Sequence, residues 1–285
     1  MRWVAGGSFR MGSDDHYPEE RPARLVTVEG FWIDRAPVTN AEFGTFIDAT
    51  GYRTVAERTP SATDFPGASL QNLVPGSAVF RPPPGPVPLD REDRWWRYLR
   101  GAYWRRPGGP GSSVEGLEQH PVVHVAFEDA ASYAEWAKKE LPTEEEWEFA
   151  ARAGSDDQEF AWGGDLTPGG RWMANTWQGP FPWRNLRLDG FEGTSPVGSF
   201  PPNAFDLVDM IGNVWEWTDS GGLAPIHNVC CAPQSFAAPR SRRVIKGGSY
   251  LCSWEYCARY RPAARQLLDV DSSTSHVGFR CVKRG

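Results

Sequence analysis

GGSYLCSWEYCARYRPAAR, from Gly247 to Arg265, sets two cysteines, Cys252 and Cys257, five positions apart behind a pair of glycines. On a continuous helix that spacing leaves the two side chains about 140° apart in rotation, and on a strand they face opposite sides. Bringing the sulfurs together requires an irregular backbone, which Gly247 and Gly248 permit. The reading is a fold whose chemistry sits on loops.

Seven basic residues (Arg240, Arg242, Arg243, Lys246, Arg259, Arg261, Arg265) stand between Arg240 and Arg265 against one acid, Glu255. Surroundings of that sign stabilise thiolate. Two thiolates without a further soft partner suit a low-coordinate soft ion, for which copper(I) is the biological candidate. The same pair could form a redox disulfide, or be two ordinary buried small hydrophobes.

Outside this stretch, 30 glycines and 25 prolines among 285 residues leave little room for long helices or strands. A 40% hydrophobic content with 14 tryptophans supplies one sizeable core or two modest ones. A net charge of -6 argues against nucleic acid or an anionic membrane as partner. No apolar run approaches a membrane span or a signal peptide, so the expected location is cytoplasmic. The five cysteines (Cys230, Cys231, Cys252, Cys257, Cys281) are odd in number and clustered late. That pattern is neither a secreted disulfide framework nor the paired CxxC knuckles of structural zinc.

Trp3 to Asp34 reads as short strands with turns at Gly6-Gly7 and Gly12-Ser13. Thr39 with Glu42, and Thr143 with Glu146, are capping boxes that predict two helices, and a third is predicted from Glu128 to about Lys138. The proline-, glycine- and tryptophan-rich run from Thr59 to Gly116 predicts a long ordered loop with only short elements, whose aromatics need burial. Residues 1–285 read as a single domain.

Asn175 to Glu216 carries hard oxygen donors in glycine-punctuated turns, a composition that calcium accepts, although turn residues of this kind also bond their own backbone. His120 and His124 flank Pro121, and the alternation Val123, Val125, Phe127 predicts a strand. Ala126 leaves that histidine pair without a carboxylate to complete a ligand set. There is no GxSxG elbow, Walker loop or Rossmann fingerprint.

Gly247 to Arg265, followed by DSSTSHVGFRC (Asp271 to Cys281), resembles the signature of formylglycine-generating enzymes. The resemblance extends to GGSFRMGS (Gly6 to Ser13), GFWIDRAPVTNAEF (Gly30 to Phe43), HPVVHVAFEDA (His120 to Ala130), LPTEEEWEFAAR (Leu141 to Arg152), NTWQG (Asn175 to Gly179) and GNVWEW (Gly212 to Trp217). It implies a single α+β domain with little regular secondary structure, related to C-type lectins. The implied activity is a copper-dependent oxidation, using O2 and a thiol reductant, of a cysteine in an unfolded sulfatase polypeptide. The target segment is Cys-x-Pro-x-Arg, whose arginine requires a polar or acidic contact, and the product is formylglycine.

In that family Cys252 and Cys257 match the copper(I) ligands, Ser249 an active-site serine beside the metal, and Trp215 an aromatic lining the oxygen-side pocket. His276, where some relatives carry asparagine, and Arg261 are assigned to the substrate. The family's calcium ligands map onto Asn175, Thr176 through its carbonyl, Asp189 and Phe191 through its carbonyl, and for a second site onto Asp209, Gly212, Val214 and Glu216. The N-terminal and central motifs also occur in iron-dependent sulfoxide synthases and in non-enzymatic binding modules on the same fold. The former need a HxxxHxE iron motif that this sequence lacks, and the latter do not require the cysteine pair. Cys281 reads as a core residue, and Cys230 and Cys231 as loop residues without an assigned role.

Overall fold

Positive φ angles at Gly6, Gly7 and Gly12 cut the beginning of the chain into β1 (Arg2–Val4), β2 (Gly7–Met11), β3 (Arg24–Val28) and β4 (Phe31–Ile33). The structure is a computed structural model that describes residues 1–63, 69–156, 158–221 and 241–285. Cys230 and Cys231 therefore lie outside the described residues, as does Arg240.

The two capping boxes form as expected. Thr39 Oγ1 accepts the Glu42 N–H and the Glu42 carboxylate accepts the Thr39 N–H at 2.8 Å, starting α1 (Asn40–Thr50), which Gly51 ends at φ 66°. The strands β5 (Gly76–Phe80) and β6 (Trp96–Arg100) follow as an antiparallel pair. Then come α2 (Phe127–Trp136) and α3 (Glu144–Arg152), the latter capped by Thr143. The last part of the chain supplies β7 (Trp215–Gly221), β8 (Arg242–Lys246), β9 (Arg265–Asp269), β10 (Val277–Gly278) and β11 (Val282–Arg284).

The largest sheet has the order β10-β7-β8-β9, a second joins β1-β4-β11, and β2-β3 and β5-β6 stand as pairs. This is a mixed α+β architecture with few helices and several small sheets. No helix among the described residues is long and apolar enough to cross a membrane.

The strand expected after His120 is absent. His124 has φ 62°, in the left-handed region, and among the described residues the run makes only an isolated bridge between Thr39 and Pro121. Val122, Val123, Val125 and Ala126 are all buried, so their apolar pattern marks a run enclosed on every side rather than a strand with one wet face. The two histidines face different partners. His120 Nδ1 lies 2.9 Å from Thr194 Oγ1, whereas His124 lies between Ser77 Oγ and the Pro107 carbonyl.

Helix α3 does more with its acids than complement a helix terminus. Glu144 and Glu148 are buried, and Lys246 of β8 approaches them at 3.6 and 2.8 Å. Burial alone would raise the Glu148 pKa, but the Lys246 and Arg152 charges outweigh it and hold it below its ordinary value. Strand register puts Glu216, Lys246 and Arg265 in one row across β7, β8 and β9. The sheet is thus docked to α3 through a buried ionic seam, with Trp147 packed beside it.

Two apolar clusters fill the interior. One gathers Phe43, Trp147, Trp215, Trp217 and Phe279, and the other Trp95, Trp96, Trp177 and Phe181. Cys252 and Cys257 belong to the first, Tyr250 and Leu251 to the second, and Tyr256 packs on both. The cysteine loop therefore lies at the seam between the clusters.

Candidate functional site

Strand β8 ends at Lys246, and Gly247 and Gly248 turn the chain with φ 96° and 73°. A Cβ on Gly248 would lie 2.7 Å from the Arg259 carbonyl oxygen, so no larger residue fits beneath the returning chain. Two successive turns then shorten the path between the cysteines. Cys252 N–H donates to the Ser249 carbonyl at 2.9 Å, and Cys257 N–H to the Ser253 carbonyl at 2.7 Å. The Ser249 and Ser253 hydroxyl oxygens accept the N–H of Leu251 and Glu255. These local bonds bring the sulfurs to 3.4 Å, which the spacing in sequence left to an irregular backbone. That separation lies well outside the ~2.05 Å of a disulfide.

Both thiol groups are buried, at 0% and 1% exposure. The Ser249 backbone N–H points to the Cys252 sulfur at 3.4 Å, and Arg259 Nη1 stands 3.9 Å from the Cys257 sulfur. Each of these contacts aims a positively polarised donor at a sulfur. The broad basic collar expected from the sequence is not what surrounds the pair. Arg242 is held by Asp269, Arg243 faces Asp219, Lys246 faces Glu148, Arg259 faces Glu19, Arg261 faces Glu20 and Arg265 faces Glu144. Every described member of the collar has a carboxylate partner brought from elsewhere in the chain, and Arg259 is the one that also reaches a sulfur.

Arg261 makes two bonds to Glu20, at 2.8 and 2.7 Å, with both side chains almost fully enclosed. Its guanidinium is thus committed inside the protein, although the residue also lines a cavity of about 240 Å³ with Tyr17, Trp254, Ala258 and Tyr260. Tyr17 lies under Arg259, with the guanidinium carbon 3.8 Å from the ring centre, and its hydroxyl accepts the Ala258 N–H. Tyr17, Glu19 and Glu20 are site-supporting residues that sequence reasoning missed. The signal available was the Glu19-Glu20 pair itself, an acidic complement to Arg259 and Arg261.

His276 is fully buried, with Nδ1 2.8 Å from Thr274 Oγ1 and Nε2 without a hydrogen-bond partner among the described residues. Burial pushes its pKa down to about 3, against an opposing pull from Cys257, so the ring is neutral. Its ring centre lies 4.9 Å from that of Trp96. Trp215 is likewise fully buried, and its indole N–H has no partner among the described residues. The Trp215 backbone N–H donates to the His276 carbonyl, which ties His276, just before β10, to the start of β7.

The loops expected to bind calcium are stitched to the cysteine loop. Asn213 donates its backbone N–H to Asn175 and accepts that of Tyr250, Gly212 donates to Gly247, and Trp177 donates to Cys252. Gly212 has φ 74°, and a Cβ there would strike the Asn175 carbonyl at 2.3 Å.

In the first expected site, Gln178 Nε2 bonds to the Thr176 carbonyl and, at 2.8 Å, to Asp189 Oδ2, while Asn185 Nδ2 lies 3.5 Å from the Phe191 carbonyl. Oxygens of Thr176, Asp189 and Phe191 thus gather around positively polarised amide groups, a donor set that suits a hard cation. The second set fits less well. Glu216 already accepts Arg280 at 2.7 and 2.8 Å and the Trp147 indole N–H at 2.8 Å, which fills most of its acceptor capacity. Asp209 accepts the Gly198 N–H, and its burial raises its pKa to about 6. Among the described residues no three His, Cys, Asp or Glu side chains cluster as a metal site, so cation binding at the first set would combine the Asp189 carboxylate with carbonyl and amide oxygens.

Residues 1–285 match the sulfatase-modifying factor enzyme 1-like domain throughout. The chain is 52% identical to the formylglycine-generating enzyme of Mycobacterium tuberculosis, over 98% of this chain and 96% of that one. It is also 40% identical to a Bos taurus protein described as inactive C-alpha-formylglycine-generating enzyme 2, over 99% and 87% of the two chains. Among solved structures, PvdO from Pseudomonas aeruginosa superposes with a TM-score of 0.64 at 24% identity, covering 99% of this chain and 93% of that one, a likeness of fold. With its full length matched and its cysteine loop folded as described, the chain belongs to the sulfatase-modifying factor enzyme 1-like family.

Proposed function

We propose that this protein converts a cysteine of a sulfatase polypeptide into formylglycine, with copper(I) held between Cys252 and Cys257, O2 as oxidant and a thiol as reductant. The observation that carries this reading is the pair of enclosed sulfurs 3.4 Å apart, in a chain more than half identical to a formylglycine-generating enzyme. The inactive Bos taurus relative shows that likeness along the whole chain does not by itself confer activity, which leaves the weight on the site.

When bound there, copper(I) would supply the one-electron chemistry that engages dioxygen. The protein's own groups do the rest. Arg259 and the Ser249 N–H aim donors at the two sulfurs inside an enclosed site that excludes water, where such contacts are stronger than at an open surface. Nε2 of neutral His276 and the Trp215 indole N–H, both without a hydrogen-bond partner among the described residues, are free to offer an acceptor or donor to a bound group. In the overall change the substrate thiomethyl group CH2–SH, one O2, and two electrons with two protons from the thiol reductant give the aldehyde CHO, hydrogen sulfide and water.

Incubating a Cys-x-Pro-x-Arg peptide with the protein, copper(I), oxygen and a thiol should yield a product that has lost the elements of hydrogen sulfide and gained one oxygen by mass spectrometry. An unchanged peptide under those conditions would favour a non-enzymatic binding module.

The Asn175, Thr176, Asp189 and Phe191 oxygens support a structural calcium ion at the first site. Calcium at about a hundred times its dissociation constant should stabilise the fold by about 2.7 kcal/mol and raise the melting temperature by about 5 °C. Asp189→Asn should remove most of that response, and a chelator that leaves wild-type melting unmoved would exclude the ion.

A further inference from the structure

A carboxylate beside the cysteine loop has no role in the site as described so far. Glu92 stands on the one-turn segment Glu92–Arg94, just before Trp95, and its Oε1 accepts the Tyr256 hydroxyl at 2.9 Å. Tyr256 directly precedes Cys257. Its ring stacks on Phe181 at 4.8 Å and meets the edge of Trp95 at 5.5 Å, so the tyrosine is fixed and Glu92 with it. Glu92 is half-buried and makes no ion pair among the described residues, and its neighbour Arg91 is turned onto Asp93 at 2.8 and 2.9 Å. Burial raises its pKa to about 7, the Tyr256 bond opposes this, and Cys257 adds to the rise. A carboxylate in that position is deprived of water on one side and of a counter-charge on the other, and a cation brought to it gains more than at an open surface.

We propose that Glu92 selects a basic side chain of the polypeptide substrate, pairing with it at the rim of the cysteine site. The inference rests on the reading that the substrate is a polypeptide whose cysteine must reach Cys252 and Cys257. A chain entering there meets the partly exposed Tyr256 and Glu92, with Trp95 and Phe181 buried behind them, and at about 3.3 Å per residue a side chain a few positions from the reacting cysteine reaches Glu92. Arginine fits better than lysine, because its planar fork presents several donors to a carboxylate at once.

Glu92→Gln keeps an acceptor for the Tyr256 hydroxyl and removes only the charge. Calorimetric binding should be compared for two unreactive peptides carrying serine in place of the target cysteine, one with arginine and one with citrulline at the basic position. Wild type should bind the arginine peptide about tenfold or more tightly than the citrulline peptide. Glu92→Gln should bring the two to within about twofold by weakening the arginine peptide alone. A variant that keeps the wild-type preference, or a wild type that shows none, overturns the assignment. Turnover of the matching cysteine peptides is read in parallel: a wild type that binds selectively but converts nothing refutes the proposed oxidation and leaves the Glu92 assignment standing.

Discussion

Replacing either Cys252 or Cys257 by alanine should lower peptide conversion by at least roughly a thousandfold, because the two sulfurs act as a unit and one alone keeps no shared site. The protein should remain folded. Each thiol is enclosed in an apolar cluster, so losing one sulfur atom leaves a small void that costs about 1 kcal/mol, a fraction of a typical domain's stability. Cys281→Ala is the matched control. That cysteine is equally buried, and burial pushes its pKa up, so it is an inert thiol within the core. It should cost comparable stability and leave conversion near the wild-type rate. Urea unfolding and the mass-spectrometric assay on the three variants separate the outcomes. Substantial activity in Cys252→Ala or Cys257→Ala would end the two-sulfur mechanism.

Arg280→Met should destabilise the fold more than any of the cysteine changes, by roughly 3–5 kcal/mol. The guanidinium is fully buried and bonds Glu216 through two nitrogens, and it also donates to the carbonyls of Val208 and Asp209 at 3.0 and 3.1 Å. Methionine has similar bulk, so the loss is chiefly electrostatic: the enclosed Glu216 carboxylate keeps, among the described residues, the Trp147 indole as its side-chain partner. Adding Glu216→Gln to Arg280→Met removes the stranded charge and should recover part of the loss. The urea midpoint of the two variants is the measurement. A single variant within about 1 kcal/mol of wild type would mean that Glu216 has another cation to answer it, as a second calcium ion would provide.

The parts of this fold that were legible in the sequence depend on near neighbours. Thr39 with Glu42 and Thr143 with Glu146 started helices where expected, because a cap is settled within one turn. The demand for an irregular backbone between Cys252 and Cys257 was likewise local and was met by two turns. What misled was anything settled by distant residues. A count of charges around the cysteines described a basic environment, but its partners Glu19, Glu20, Glu144 and Glu148 arrive from the far side of the chain and neutralise it pair by pair. The valines after His120 form no strand because the backbone turns into the left-handed region at His124, inside a run that packing encloses. Glu92 carried no signal at all, since its meaning depends on lying against Tyr256, 164 positions away.

The Glu19–Arg259 and Glu20–Arg261 pairs join residues 240 and 241 positions apart. During translation the acids leave the ribosome first and wait, at roughly 5–20 residues per second, on the order of tens of seconds for their arginines. Nothing local can substitute for that meeting, and contacts of such long reach form late and slowly. Until then Cys252 and Cys257 cannot be walled in, so a nascent or stalled chain presents both thiols to passing oxidants and stray metal ions. Because Cys252 and Cys257 are made only a few residues before those arginines, their exposure is set not by that wait but by how slowly the long-range pairs close once the loop has emerged.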